Sequence, residues 1–149
     1  MDWSGRGEHG RDLTPFVAEL TTLRKRFPQL QVAHWLNGHG DNRPPDILWL
    51  TPKATEMTPE DWSFPEARFL AYVLGAGQEG ASPLFIVMNA GGEPVEFIFP
   101  EYLEFENWKL VLSSADRERR DKVFHVGAQN QAESRSVSVF EGGTESAAG

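Results

Sequence analysis

After Pro28 the spacing of apolar residues changes from 3.6 to 2 and does not change back, and this switch constrains the fold more than any other feature of the chain. Before it, Leu13, Phe16, Val17, Leu20, Leu23 and Phe27 fall on one helical face. Asp12 or Thr14 is placed to cap that helix, Pro15 to sit in its first turn, and Arg24, Lys25 and Arg26 to meet the negative end of its dipole. Pro28 stops it. Beyond it the chain offers short runs separated by Pro, Gly and Asn, with no second helical pattern of any length.

Those runs can be placed one by one. Residues 31–36 alternate Val32, His34 and Leu36 against Ala33 and Trp35. Residues 37–45, NGHGDNRPP, read as loop. Residues 46–50 are apolar on both faces, which predicts a central strand ended by Pro52. Residues 57–66 hold two prolines and read as a return loop anchored in the sandwich by Trp62. Within it Thr58, Pro59, Glu60 and Asp61 have the makings of a capped single helical turn.

Residues 68–74 read as a strand by aromatic and β-branched content, although two helical turns over 67–74 also fit. The most apolar run, 83–89, should lie at the centre of a sheet and pair in a hairpin with 94–99 across Ala90, Gly91, Gly92 and Glu93. Trp108, Leu110 and Leu112 share one face of the next run, 123–126 makes a short strand, and 135–140 closes the fold. The expected architecture is mainly β: an antiparallel β-sandwich of about seven or eight strands preceded by one N-terminal amphipathic α-helix. Its expected divisions are a flexible leader over 1–11, the helix over 12–28, the sandwich over 29–141 and a disordered tail over 142–149.

Composition then narrows function. At 149 residues the chain can bury about 68–70% of its unfolded surface, enough for one core without staples. Cysteine is absent, so thiolate metal sites, disulfides and thiol nucleophiles are excluded, in keeping with a reducing cytoplasm. A net charge of −8 opposes binding to nucleic-acid phosphates. No apolar run is long enough to span a membrane, and the N-terminal residues are too polar for a signal peptide, so a soluble, unprocessed cytoplasmic chain is expected.

Several strings together resemble the C-terminal region of bacterial glycogen debranching enzymes, the isoamylase-type branch of the α-amylase superfamily. The run LTPFVAELTTLRKRFPQL is similar to the last barrel helix of those enzymes, an F-x-x-x-L-x-x-L-R-x-x-x-P pattern, and Asp2-Trp3 resembles the pair that precedes it. DILWL, EMTPEDW, LFIVMNA, EPVEFIFP and ESRSVSVF follow in the family's order, so the resemblance spans nearly the whole chain. One departure is local: Lys53-Ala54 stands where the family has Asp-Gly, so a turn needing positive φ would be strained there. A larger one is chemical. The nucleophilic Asp, the acid/base Glu and the stabilising Asp of these enzymes lie on the (β/α)8 barrel, at positions that this chain does not contain.

The resemblance therefore implies a C-terminal sandwich that packs on a catalytic barrel hydrolysing α-1,6 branch linkages, and that is inactive alone. Glu56, Glu60, Asp61, Glu66 and the acidic residues between 101 and 106 read as solvated loop carboxylates rather than a catalytic pair. His34, His39 and Asp41 match no metal-ligand spacing, His125 reads as a surface residue, and neither metal nor cofactor is expected. Of the aromatic residues, Trp49 is assigned to the core. Trp35, Tyr102 and Trp108 are the candidates for stacking on an α-glucan in a free-standing carbohydrate-binding protein. A further alternative is a subunit that completes a separate barrel. The helix stripe Leu13, Phe16, Val17, Leu20 and Leu23 needs cover, from the sandwich or from a second copy of the chain.

Overall fold

The computed structural model describes residues 8–33, 35–38, 45–75, 81–116 and 120–144, with the side chains described from residue 13 onward. It divides into two compact units, 1–35 and 36–149.

The first unit holds helix α1, Glu8–Arg26, which begins four residues before the expected start at Asp12. Pro15 accordingly sits inside the helix, where it removes one i→i−4 hydrogen bond. Pro28 then opens a single 3-10 turn, Pro28–Leu30. Residues 31–33 and 35–36 form no strand, contrary to the alternation read there. Gln31 explains the difference: its amide N–H donates to the Pro28 carbonyl at 2.8 Å and its side-chain Nε2 to the Arg24 carbonyl at 2.6 Å. Both donors are therefore spent on closing the helix end rather than on a ladder.

The second unit is an antiparallel sandwich. One sheet has six strands, in the order β1 (Ile47–Leu50), β2 (Phe69–Leu74), β3 (Leu84–Asn89), β8 (Ser136–Gly143), β5 (Asn107–Ser113) and β6 (Val123–His125). Against it lies a ribbon of β4 (Val95–Ile98) and β7 (Gln129–Ala132). The core forms between them. Leu50, Ala71, Val73, Phe85, Val87, Trp108, Leu110 and Phe140 come from the larger sheet, and Phe97, Phe99 and Ala132 from the ribbon side. Phe85 is its hub, with ring centroids 5.5–6.0 Å from Phe97, Phe99, Trp108 and Phe140. Burying each such side chain contributes about 1.5–3 kcal/mol.

Strand β1 is an edge, not a centre. Its outer face is apolar because Trp49 packs against Tyr72 and Trp62, so two apolar faces did not require two strand neighbours. The free edge is closed by the chain's own return: Met57 N–H donates to the Trp49 carbonyl at 3.0 Å and Glu56 bridges to Leu50. The expected helical turn is present as α2, Pro59–Trp62. Thr58 is its N-cap, with both halves of a capping box formed with Asp61. Residues 69–74 are strand, resolving the helical alternative.

The hairpin expected between 83–89 and 94–99 does not form. Strand β3 pairs with β2 and β8, while β4 crosses to the opposite sheet and pairs with β7. Asn89 diverts the chain. Its Nδ2 donates to the carbonyls of Glu93, Ala132 and Glu133 at 2.8, 3.1 and 3.1 Å, and its Oδ1 accepts from Gly91 N–H at 2.8 Å. One buried side chain thus satisfies the turn and ties it to β7.

Strand β5 carries a bulge between Leu110 and Leu112 that turns Leu110 toward the core, opposite Phe140, and Leu112 to the other face, opposite Val139. Trp108, Leu110 and Leu112 therefore do not share a face, although all three are buried. Strand β8 runs through Gly142 and Gly143, which were expected in the tail; Gly142 pairs with Trp108 and donates to the Pro83 carbonyl at 2.9 Å. Residues 1–7 and 145–149, including most of the expected leader and tail, lie outside the described residues.

Candidate functional site

The three aromatic residues singled out for stacking on sugars part company in the structure. Trp108 is fully buried, and its indole Nε1 donates to the Pro100 carbonyl at 2.9 Å, so neither face is open to a ligand. Tyr102 is buried as well. Its hydroxyl donates to the Pro45 carbonyl at 3.0 Å, and burial first, then the Asp46 carboxylate, raise its pKa above the ordinary tyrosine value. Both are corrections to the sequence reading: the loop that reads as acidic and exposed folds Tyr102 inward over Gly75, where an added Cβ would stand 2.8 Å from its hydroxyl, and Trp108 faces the core from β5. Trp35, in the first unit, is 91% exposed.

A second aromatic group, which the sequence assigned to core and anchor, is partly open. Trp49 on β1 and Tyr72 on β2 lie directly opposite each other, on the face turned away from the ribbon, with ring centroids 4.9 Å apart. Trp62, at the end of α2, meets Trp49 edge-on at 5.4 Å and is 53% exposed. Trp62 thus rests on the outer surface of the sheet and takes no part in the core, contrary to its expected place as a plug. Burial raises the Tyr72 pKa. The sequence did signal a return loop carrying Trp62, but not its contact with Trp49, which it assigned to the core. It held no signal for Tyr72, which depends on strand register.

Glu56, Glu60, Glu66, Glu101, Glu104 and Glu106 are exposed. Asp61 is held below the ordinary aspartate range, chiefly by the Thr58 backbone N–H at 2.8 Å and then by the Thr58 hydroxyl at 2.9 Å. A general acid needs a shift in the opposite direction. Asp46 also serves the backbone, accepting from Asn37 N–H at 3.1 Å and Gly38 N–H at 2.8 Å. Among the described residues no group of three or more His, Asp or Glu is placed to hold a metal. His34, His39 and Asp41 lie outside the described residues, and His125 is exposed on β6.

The fold is an antiparallel sandwich of a six-stranded sheet on a two-stranded ribbon, with Asp46 and Asp61 serving its turns. Residues 46–145 match the family model of the isoamylase C-terminal domain, and the chain belongs to that family. The glycogen operon protein GlgX homologs of Mycobacterium bovis and Mycobacterium tuberculosis are each 30% identical to it over 129 residues, an overlap covering 78% of this chain and 18% of theirs. The chain thus spans under a fifth of the length of these relatives. Among solved structures a trehalulose synthase crystallised with Tris shares the fold at TM-score 0.50 and 15% identity, over 83% of this chain and 16% of that one. The resemblance read from the sequence and the family found by comparison are the same.

Proposed function

We propose that this chain acts as the C-terminal accessory sandwich of an α-1,6-glucan debranching hydrolase, stabilising a catalytic (β/α)8 barrel and contributing no catalytic group of its own. The observation that carries the reading is the family match over 46–145, the region that folds as the sandwich. The exposed and turn-bound carboxylates support the second half of it. Glycogen is the proposed substrate of the assembled enzyme, and the cytoplasm its proposed location. No helix among the described residues is long and apolar enough to cross a membrane.

The helix supports a barrel as partner. Leu13 and Val17 are 60% and 50% exposed, and Leu20 lies beside them on the same face, a stripe of the kind that packs against neighbouring elements of a barrel. Whether that barrel lies in the same polypeptide or in a separate one, the same contact is made. A second copy of the chain, covering Leu13, Phe16, Val17, Leu20 and Leu23, is the competing arrangement.

The test has two arms. Purified chain incubated with glycogen or pullulan should release no reducing ends; release would overturn the absence of catalysis. Attaching the chain to a mycobacterial relative deprived of its own C-terminal fifth should restore soluble, active enzyme. Failure to restore it, together with a stable dimer of the isolated chain in sedimentation, would favour the homo-oligomer instead.

A further inference from the structure

We propose that Trp62, Trp49 and Tyr72 form a binding platform for the pyranose rings of an α-glucan chain, on the sheet face opposite the ribbon. The choice of α-glucan rests on the proposed debranching role. The platform itself rests on geometry.

Three aromatic side chains converge on one outer face, and none of them belongs to the core cluster. Trp62 is held open by a rigid mount. Its N–H donates to the Thr58 carbonyl at 3.2 Å, Asp61 closes the capping box, and the Ser63 hydroxyl donates to the Pro59 carbonyl at 2.8 Å. Trp49 is fixed from the other side by the return of Met57. A large ring held rigidly and left half in water forgoes part of the free energy its burial would supply, and a ligand that covers it recovers that energy with little ordering cost.

The surroundings select the ligand. Glu60 and Asp61 share the turn that carries Trp62. Carboxylates and hydroxyls at the margin of aromatic faces suit a neutral polyhydroxyl ligand, whose C–H faces lie on the rings while its hydroxyls donate outward. The same carboxylates repel phosphates, and the chain carries −8, so a nucleobase stacked on these rings would bring its backbone against like charge.

The experiment uses the 149-residue chain. Its mobility in native gels should be retarded by glycogen, and maltoheptaose titration should change its tryptophan fluorescence. Trp62→Ala should weaken binding about tenfold, the scale expected for truncating an aromatic anchor, with Trp62→Tyr retaining most of it. Trp35→Ala, which removes the other widely exposed indole among the described residues, should leave binding unchanged. A second readout needs no loss of Trp62: in the Trp35→Ala protein, maltoheptaose should slow oxidation of Trp62 by N-bromosuccinimide, followed by peptide mass. The proposal is overturned if glycogen does not retard the wild-type chain, if Trp62→Ala binds as wild type, if Trp35→Ala abolishes binding, or if Trp62 is not protected. None of these results touches the barrel-attachment experiment, so the two readings fail separately.

Discussion

Ala54 holds a left-handed backbone, φ 59°, in the turn that returns the chain from β1. Its N–H donates to the Thr51 carbonyl at 3.0 Å, and Thr51 N–H donates to the Thr55 carbonyl at 2.8 Å, so the geometry is pinned on both sides. An L side chain with a Cβ pays a steric cost there that glycine does not. Ala54→Gly should therefore raise the unfolding free energy by about 0.5–1 kcal/mol in urea titration. No gain, or a loss, would mean that the extra freedom of glycine in the unfolded chain outweighs the relief. Lys53-Ala54 could be singled out only through the family resemblance, which places Asp-Gly there; alanine itself carries no mark of a positive φ. Trp108 and Tyr102 could not be judged that way, since whether a ring faces solvent or core depends on register and on what folds over it. The inward face of β5 and the close approach of Gly75 decide those two cases, and neither has a residue signature of its own.

At the scale of elements, what was legible follows from local chemistry. The box of Thr58 and Asp61 announced α2 because capping uses residues three apart in sequence. Thr58→Ala should lower the melting stability by about 1 kcal/mol, seen as an earlier unfolding midpoint. Asp61 adds a pH dependence. Its folded pKa lies below the unfolded one, so its contribution is complete above the ordinary aspartate value of about 3.9 and is lost as pH falls from there through the lowered folded value. Trp62 fluorescence should report loosening of the turn in that acid window, and Thr58→Ala should blunt the change. Strand β7 was missed for the converse reason: Gln129, Asn130 and Gln131 carry no apolar alternation, and only Ala132 enters the core. The crossover at Asn89 was hidden by glycines that read as a hairpin turn. Asn89→Ala leaves three carbonyls and one N–H without their bonds, and should cost about 3 kcal/mol in denaturant unfolding. A loss under 1 kcal/mol would show water taking over those groups.

For the whole molecule, the two units have opposite characters. The sandwich satisfies itself around Phe85, whereas α1 keeps an apolar stripe open at Leu13 and Val17. A helix of that kind is expected in a chain whose relatives are more than five times as long as the matched region. Replacing both Leu13 and Val17 by Lys should leave the chain's own melting stability within about 0.5 kcal/mol, as for exposed positions in general. In the attached enzyme it should reduce soluble yield and activity. If the double substitution instead unfolds the isolated chain, the stripe serves this chain's own stability and not a barrel.

The sealing of β1 by the 51–57 return has a consequence for inheritance. With Met57 bonded to Trp49 on one margin of the six-stranded sheet, and the other margin reduced to the three residues of β6, neither side offers a long row of open peptide groups to a neighbour. A module whose borders do not template further strands can be joined to successive larger chains without provoking edge-to-edge polymers. Such portability is what an appended domain needs if gene fusion is to carry it from one enzyme to another.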